Sequence, residues 1–384
     1  MLRIHELTVQ YSCASASKWF QRISFPRPLS QNRETGKSKA ASNRAVLDHL
    51  NLDLARGEFL AILGVSGAGK TTLLRAIAGL LRPSSGEILI DGQPQTHKPP
   101  HQRDVAYVFQ SGGWYDHLTV RQHFQLGKSS SQGTSKASSP ILEDWLDRVG
   151  LTDLANQSPG QLSGGQLQRL AIGRALARQK SLLLLDEPLS QLDEPSCDEL
   201  RRLLQKIHSE GSTIIYVTHS QRDAFMLSTK VAALHEGVLR QMASPHELYD
   251  QPQHISVAKS LGFPAMDLLA AKHLIDDVPV HLRVGTKWEK LSPETIVGVR
   301  PRDWKLNPTE SSGGTTFKGT WAGRTFIDGM WLGRVVFQEK VISVLVSVSE
   351  DVERLTIGDP VVLYLDARHL HCFDPITGNR IQLG

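Results

Sequence analysis

Apolar positions in the amino-terminal part of the chain follow two alternating patterns. Short uninterrupted apolar runs, typical of strands buried on both faces, occupy residues 59–63, 181–185 and 213–218. Runs with apolar residues three or four positions apart, typical of helices, occupy residues 71–80, 165–178 and 198–208. Because strands that alternate with helices form parallel sheets covered on both faces, the pattern predicts an α/β domain with a mostly parallel sheet.

Two further segments precede this pattern and are separated by a basic stretch. Residues 3–11 and 45–54 alternate apolar and polar positions, which predicts two strands that pair as hairpin neighbours. The intervening residues 12–44 carry seven Lys or Arg against the single Glu34, a net charge of +6 in a chain whose formal net charge is +4. Their Ser, Lys, Arg and Pro content predicts an exposed insertion. A surface for anionic lipid or an acidic partner is the alternative, because three aromatic residues lie among the basic ones.

The pattern changes after Gly237. Prolines punctuate the chain, and short β-rich runs follow at residues 296–300, 334–337, 341–348 and 360–365. This pattern predicts a separate all-β domain. We therefore assign residues 1–242 to the α/β domain, with a helical subdomain at about 111–160, and residues 243–384 to the β domain.

The bulk composition is that of a soluble globular protein. With 384 residues, 40% of them apolar and 21% charged, the chain is long enough for two cores. No stretch approaches the roughly 20 consecutive apolar residues needed to cross a bilayer. Residues 1–6 include an acidic residue where a signal peptide keeps an apolar core, so the expected location is the cytoplasm. The three cysteines show no C-x-x-C spacing, which argues against a disulfide framework or a zinc site.

A glycine-rich turn joins the first apolar strand to the first helix. It fits G-x-x-x-x-G-K-[ST] and consists of Gly64, Val65, Ser66, Gly67, Ala68, Gly69, Lys70 and Thr71. The glycines let backbone N–H groups converge on phosphate oxygens at a helix N-terminus. Lys70 would neutralise β- and γ-phosphate charge, and the Thr71 hydroxyl would bind Mg²⁺. A chance glycine-rich turn is the alternative, and the flanking strand and helix argue against it.

The second apolar strand ends in two carboxylates, Asp186 and Glu187. A hydrated Mg²⁺ needs one acid, and an attacking water needs another. We therefore predict Asp186 as a metal ligand and Glu187 as the residue that activates water. Many α/β strands end in acids, and this pair is informative because a phosphate loop lies upstream.

The helix near residue 165 opens with a distinctive segment, Leu162, Ser163, Gly164, Gly165 and Gln166. Ser163 is a good N-cap, and the two glycines leave backbone donors accessible. With the phosphate loop upstream and the acid pair downstream, this LSGGQ segment resembles the signature of the ABC ATPase family. The resemblance implies a P-loop ATPase fold and a signature segment that binds the γ-phosphate held by the other subunit of a dimer.

Further residues of the chain match functional positions of the ABC ATPase family. Gln110 matches the glutamine that contacts Mg²⁺ and the attacking water, and His219 matches the histidine that touches the γ-phosphate. Asp193 matches the loop that crosses the dimer interface, Thr72 continues the nucleotide-binding loop, and Tyr11 matches the aromatic residue that stacks on adenine. The implied catalytic residues are Lys70, Gln110, Glu187 and His219. The implied cofactors are ATP and Mg²⁺, with the ion held by Thr71, Gln110 and Asp186.

Several stretches narrow the resemblance to importer ATPases. Residues 101–110 with 115–120 are similar to the maltose and glycerol-phosphate importer ATPases, although Asp116 stands where that subfamily usually has Pro. Residues 245–252 and 298–303 are similar to two motifs of the subfamily's oligomer-binding-like (OB-like) regulatory β-barrel. The basic insertion has no counterpart in the resemblance, and the loop after residue 127 is more Ser-rich than the family's charged helix.

The resemblance implies an ATP-hydrolysing importer subunit at the cytoplasmic face of the inner membrane. It would act as a homodimer, or paired with a second ATPase subunit, and bind two integral membrane permease subunits. A periplasmic or lipid-anchored solute-binding protein would act indirectly, and no nucleic-acid partner is expected. Sugar or glycerol 3-phosphate is the expected solute, with ferric iron, sulfate, polyamine and molybdate as alternatives.

Two other classes of protein agree less well with the sequence. A soluble ABC ATPase that acts on DNA or ribosomes would carry coiled coils, zinc modules or a second ATPase half, and the sequence shows none. A binding module that has lost hydrolysis would not be expected to retain Lys70, Gln166, Glu187 and His219.

Overall fold

The computed structural model describes residues 1–10, 45–126, 140–275, 278, 286–307 and 315–382. Tyr11, the basic insertion 12–44 and the Ser-rich loop 128–139 lie outside the described residues, so the predictions made for them stay predictions. The chain divides into two compact units, Met1–Pro245 and His246–Gly384. Among the helices described, none combines the length and apolarity that a membrane span requires.

The first unit alternates strands and helices. Its described strands are β1 Leu2–Val9, β2 Leu47–Leu54, β3 Phe59–Leu63, β4 Ser85–Ile90, β5 Gln93–Pro94, β6 Val105–Val108, β7 Leu182–Asp186, β8 Thr213–Thr218, β9 Lys230–His235 and β10 Val238–Ala243. Its described α-helices are α1 Lys70–Ala78, α2 Val120–Gln125, α3 Pro140–Arg148, α4 Gly164–Leu176, α5 Glu194–Ser209 and α6 Gln221–Leu227. Short 3₁₀ turns lie at Pro100–Gln102, Thr152–Leu154 and Pro159–Gln161.

The strands of the first unit form two sheets. The larger sheet has six strands in the order β10-β9-β3-β8-β7-β6, and β9, β3, β8, β7 and β6 run parallel. Strand β10 is antiparallel to β9. The predicted α/β fold with a mostly parallel sheet is therefore confirmed. The smaller sheet is antiparallel, with the order β2-β1-β4-β5, and contains the predicted pairing of β1 with β2.

The sequence pattern did not predict β4, although this strand completes the smaller sheet. Its sequence is SGEILI, and its first three residues are exposed while Ile88 and Ile90 are buried. A strand that is polar in its first half and apolar in its second shows no clear period of two. Strand β4 is identified by its pairing with β1 and β5 in the folded sheet.

Helix α1 packs against residues of both sheets. Leu73, Leu74 and Ile77, which carry the predicted helical spacing, belong to one buried cluster with Ile4 of β1 and Leu184 of β7. Full burial of a side chain of this size stabilises the fold by about 1.5–3 kcal/mol. The cluster therefore fixes α1, and with it the turn that precedes α1, against the carboxyl ends of the parallel strands.

A buried arginine closes the carboxyl end of α1. Arg103 is 2% exposed, and its guanidinium donates to the carbonyl oxygens of Ala76 at 2.8 Å and Ile77 at 2.7 Å, and to that of Lys98 at 2.9 Å. The last carbonyl groups of a helix have no partner inside the helix, so Arg103 supplies one. Burial lowers the pKa of Arg103 to about 10, which leaves it charged at neutral pH.

The second unit consists of antiparallel strands with short helices. Its described strands are β11 Asp267–Ala270, β12 Ile296–Val299, β13 Lys305–Leu306, β14 Thr315–Ile327, β15 Met330–Phe337, β16 Lys340–Val346, β17 Pro360–Leu365, β18 His371–Phe373 and β19 Arg380–Ile381. The helical segments are α7 Pro245–Asp250, α8 Ile255–Ser260, α9 Lys272–Ile275, α10 Glu350–Glu353 and 3₁₀ turns at Lys287–Lys290 and Ala367–His369.

Two antiparallel sheets enclose the core of this unit. Their orders are β11-β12-β18-β19 and β13-β17-β14-β15-β16, and the core contains Trp304, Phe317 and Trp321. The predicted all-β, OB-like fold is confirmed. Arg300 is buried and donates to the carbonyl oxygens of Tyr249, at 2.7 Å, and of Leu261. Its guanidinium also lies 4.0 Å from the centre of the Tyr249 ring, so it joins the two motifs of this unit that the sequence singles out.

Candidate active site

The glycine-rich turn begins where β3 ends and continues into α1. Residues 65–67 are exposed, whereas Lys70 is 5% exposed. The Lys70 ammonium donates to the carbonyl oxygens of Gly64 at 2.8 Å and Val65 at 3.1 Å, so it lies inside the turn. Burial lowers the pKa of Lys70, and two nearby carboxylates favour its charged form. A cation inside a ring of backbone groups is suited to bind polyphosphate oxygens.

Two glycines of the turn are required by the space around them. A β-carbon added to Gly64 would lie 2.4 Å from the carbonyl oxygen of Leu234 on β9. One added to Gly69 would lie 2.9 Å from the carbonyl oxygen of Val46. Gly69 also has a φ of 103°, in the left-handed region that favours glycine, and it caps the start of α1. The backbone of the turn can therefore approach its neighbours only with glycine at these positions.

The Asp186 carboxylate is held at both of its oxygens. The Thr71 hydroxyl donates to Oδ1 at 2.9 Å, and the Tyr107 hydroxyl donates to Oδ2 at 2.7 Å. Asp186 ends β7 and is buried, while Tyr107 comes from β6, the neighbouring parallel strand. Burial and the Asp186 charge raise the pKa of Tyr107, so the phenol is a permanent donor. Thr72, next to Thr71, is half-buried in the first turn of α1.

Glu187 lies at the centre of a polar cluster. Its Oε2 accepts a hydrogen bond from the Gln110 amide at 3.5 Å and lies 3.3 Å from Nδ1 of His219. Its Oε1 lies 3.9 Å from the Lys70 ammonium. The backbone of Glu187 has a φ of 47°, which is uncommon for a residue other than glycine, and its N–H donates to the carbonyl oxygen of Val217 on β8 at 3.0 Å. Such backbone conformations cluster at functional sites.

Two residues that hold the site residues in place, Ser190 and Tyr107, were not predicted from the sequence. The Gln110 amide donates to the Ser190 hydroxyl oxygen at 3.3 Å, and the Ser190 hydroxyl donates to the Glu187 carbonyl oxygen at 2.9 Å. Tyr107 was also missed. The available signals are a tyrosine within an apolar strand and a serine shortly after the acid pair, and neither signal identifies a partner.

The signature segment caps the start of α4. The Ser163 hydroxyl accepts from the Gln166 N–H at 3.3 Å, and the Gln166 side chain accepts from the Ser163 N–H at 2.8 Å. Ser163 and Gly164 are exposed, and Leu162 is half-buried. These bonds run within the segment. The site at the phosphate loop instead brings together Lys70, Thr71, Gln110, Asp186, Glu187 and His219.

The signature helix also packs against the helix that follows the acid pair. A β-carbon added to Gly165 would lie 2.9 Å from the Ser196 side chain on α5. Asp193 is exposed and immediately precedes α5. The signature segment and the Asp193 loop are therefore neighbours within one chain.

A buried histidine fixes the loop that follows Gln110. The His123 ring, on α2, is fully buried; its Nε2 accepts from the Tyr115 N–H at 2.8 Å, and its Nδ1 lies 2.8 Å from the Thr119 carbonyl oxygen. An N–H partner at one nitrogen and a carbonyl at the other require a neutral ring with its proton on Nδ1. Burial lowers the pKa of His123 below its ordinary value of 6.5.

We expect His123 to make the stability of the chain depend on pH. Because the folded state keeps the ring neutral, acid protonates the unfolded chain preferentially, and stability falls as the pH drops below 6.5. His123→Leu removes the acceptor of the part-buried Tyr115 N–H and the ring nitrogen that faces the Thr119 carbonyl, so it should lower stability at about pH 8 by about 1–3 kcal/mol and reduce the further loss in acid. Urea unfolding at several pH values measures both effects. His101→Gln, at an exposed position, is the control, and an unchanged pH dependence in His123→Leu contradicts the expectation.

The oxygen groups around Asp186 fit a magnesium ion. Mg²⁺ in nucleotide sites takes one or two carboxylates together with substrate phosphates and waters. Thr71 supplies a hydroxyl oxygen and Asp186 a carboxylate at the end of the phosphate loop. Across the described ranges, no group of three or more His, Cys, Asp or Glu could hold a metal ion. Thr71 and Asp186 would hold the ion together with nucleotide phosphates and waters.

A phosphate loop, an acid-terminated strand and a capped glycine-containing helix on a mostly parallel sheet define an ATPase of the ATP-binding cassette class. A model of the ABC transporter family matches residues 47–190. The xylose/arabinose import ATP-binding protein XacJ of Haloferax volcanii is 32% identical over 92% of this chain and 96% of that protein. The sn-glycerol-3-phosphate import ATP-binding protein UgpC of Escherichia coli is 34% identical over 88% of this chain and 95% of that protein.

A protein named for polyamine import is similar as well. The spermidine/putrescine import ATP-binding protein PotA of Vibrio vulnificus is 35% identical over 82% of this chain and 86% of that protein. The chain belongs to the ABC transporter family, as an ATP-binding subunit, and its activity is that of an ATPase. The family resemblance seen in the signature segment is thereby confirmed.

Solved ATP-binding cassettes are similar in fold to about two thirds of the chain. The dimeric structure of the cassette MJ0796 in a post-hydrolysis state, bound to ADP and Pi, has a TM-score of 0.52 at 25% identity. It covers 64% of this chain and 99% of that one. A second dimeric structure of MJ0796 has a TM-score of 0.51 at 26% identity.

Proposed function

We propose that the chain drives solute import by closing, as a dimer, on two Mg·ATP. The observation that carries the proposal is the cluster in which Glu187 meets Lys70, Gln110 and His219 beside the phosphate loop. Hydrolysis of ATP needs a cation for the phosphates and a group that positions the attacking water within one small space. The similarity to three import ATP-binding proteins supports the importer assignment.

Each residue of the cluster has a role that follows from its chemistry. The backbone N–H groups of residues 64–69 and the Lys70 ammonium bind the β- and γ-phosphates. The Glu187 carboxylate accepts the proton of the attacking water. Gln110 and His219 hold that carboxylate in place and donate to the water and the γ-phosphate as charge develops there.

Thr71, Asp186 and Gln110 are the residues that would hold Mg²⁺. When bound, the ion neutralises charge on the β- and γ-phosphates. Asp186 provides the negative charge and Thr71 a neutral oxygen. Gln110, just beyond the end of β6, links this set to Glu187 and to Ser190.

The active unit is proposed to be a homodimer with composite sites. Ser163 and Gly164 lie at an exposed helix N-terminus. The hydrogen bonds of Ser163 run to Gln166 within the same segment. An exposed helix start with small residues is suited to bind an anion supplied by another molecule. The neighbouring Asp193 would then lie at the same interface. The dimeric structures of MJ0796 support this arrangement.

The partners follow from the importer assignment. Residues 1–242 would form the ATPase domain, and the helical subdomain at about 111–160 would dock two integral membrane subunits at the cytoplasmic face of the membrane. Residues 243–384 would form a regulatory domain. A separate solute-binding protein would act through the membrane subunits.

The imported solute is proposed to be a sugar or sn-glycerol 3-phosphate. XacJ and UgpC, named for such solutes, align over nearly their whole lengths. A polyamine is the second candidate, because PotA reaches 35% identity.

The importer assignment is tested with the purified chain and with membranes. We expect Mg²⁺-dependent ATP hydrolysis, and co-purification from detergent extracts with two integral membrane proteins encoded in the same genome. Lys70→Ala is the matched control, because it should abolish hydrolysis and leave co-purification intact. A chain that hydrolyses ATP but binds no membrane protein would keep the ATPase assignment and overturn the importer.

A further inference from the structure

The Tyr107 hydroxyl connects strand β6 to the acid at the end of β7. The two strands pair in parallel with Tyr107 opposite Leu184, so the Tyr107 side chain reaches two residues along the sheet to Asp186. Its hydrogen bond of 2.7 Å is the shorter of the two on this carboxylate. Phe109 packs against the Tyr107 ring with 4.5 Å between ring centres. The ring is therefore fixed by packing and by one directional bond.

The chemistry of the two groups fixes the direction of that bond. The phenol carries one proton, and an ionised carboxylate can only accept. The Tyr107 hydroxyl therefore donates to Oδ2 of Asp186.

Two donors from different elements prevent rotation of the Asp186 carboxylate. Thr71, on α1, holds Oδ1, and Tyr107, on β6, holds Oδ2. A hydroxyl has one proton and two lone pairs, so Thr71 can donate to Asp186 and still present oxygen to a cation. The one proton of the Tyr107 hydroxyl is donated to Oδ2, so the role of Tyr107 at this carboxylate is to orient it.

We propose that Tyr107 is a positioning residue for the magnesium site. Tyr107 orients Asp186 and thereby sets the affinity of the site for the metal rather than for the nucleotide. The inference rests on the proposed roles of Thr71 and Asp186. Removing an outer hydrogen-bond partner of a metal ligand typically weakens metal binding by about 10–100-fold. A tyrosine that only filled space would have no such effect on the metal.

The Tyr107→Phe variant of the full chain removes the hydroxyl and keeps the ring. We expect its affinity for Mn²⁺, titrated by electron paramagnetic resonance with a non-hydrolysable ATP analogue, to fall ~10-fold. The Mg²⁺ concentration for half-maximal hydrolysis should rise by a similar factor, while the rate at saturating Mg²⁺ stays within about 3-fold of wild type. Binding of a fluorescent ATP analogue in excess EDTA should be unchanged.

Two further variants separate the hydroxyl from its surroundings. Tyr216→Phe, on β8 with its ring against Phe59, is the matched control and should bind Mn²⁺ like wild type. Tyr107→Met keeps an apolar side chain without the hydroxyl, so it should show the same loss as Tyr107→Phe. It serves as the test variant if Tyr107→Phe does not fold.

The outcomes distinguish this inference from the proposed function. Wild-type Mn²⁺ affinity in Tyr107→Phe or Tyr107→Met overturns the role of Tyr107, and so does an equal loss of metal-free nucleotide binding. A wild-type chain that hydrolyses no ATP at any Mg²⁺ concentration overturns the proposed function instead. The Mn²⁺ comparison still decides the role of Tyr107 in that case.

Discussion

Replacing Glu187 by Gln should leave ATP bound and nearly stop its hydrolysis. The amide preserves the size of the side chain but cannot accept the proton of the attacking water, so turnover should fall ~100-fold or more. Contacts of the side chain with Gln110 and His219 do not require a full negative charge, so nucleotide affinity should be retained. A stable dimer should then accumulate in the presence of ATP. Phosphate release and size-exclusion chromatography with ATP measure the two effects.

The control for this change is another glutamate of the same unit. Glu199 on α5 is exposed and lies 3.4 Å from Arg169, so Glu199→Gln should keep hydrolysis within about 2-fold of wild type, as expected for a surface ion pair. Near-normal hydrolysis by a folded Glu187→Gln chain would show that another group activates the water.

Elements with a strong local pattern were predicted closely from the sequence. The bounds of β3 and β8 agree to the residue, because each apolar run is flanked by polar residues or glycine. Helix α5 begins at Glu194, four residues before the predicted start. Asp193 and a proline within the first two helical positions mark its start, whereas the apolar spacing becomes visible only later in the helix.

The predicted site residues came from motifs, and motifs specify residue types without their contacts. Tyr107 and Asp186 are 79 positions apart, and Gln110 and Ser190 are 80 positions apart. Both bonds depend on the parallel pairing of β6 with β7, which is a property of the folded sheet. A pattern that is read locally along the chain gives no register between distant strands, so it cannot predict these two bonds.

Two variants that are each inactive alone should recover activity when they are mixed. Lys70→Ala removes the phosphate-binding cation, and Gly164→Asp places a carboxylate at the exposed start of α4, where we propose that the partner's γ-phosphate binds. In a heterodimer of the two, both changes fall in one composite site and the other site is intact. Random assortment makes half of the dimers mixed, so we expect up to about a quarter of wild-type activity if the sites act independently.

Gly164 suits this experiment better than Gly165. A β-carbon on Gly165 would lie 2.9 Å from Ser196, so a side chain there would disturb the packing of α4 on α5. On Gly164 the nearest atom is a Leu192 methyl group at 3.3 Å, and an aspartate is favourable in the first turn of a helix.

The decisive control mixes Lys70→Ala with Glu187→Gln before ATP is added. Lys70 and Glu187 lie 3.9 Å apart in one chain, so these changes damage the two sites of a heterodimer separately and leave neither intact. Activity should therefore return with Gly164→Asp and stay absent with Glu187→Gln. Recovery in the first mixture alone means that the signature segment serves the phosphate loop of the other chain. If neither mixture recovers while labelled subunits exchange, each chain must complete its own site, and the proposed dimer is wrong.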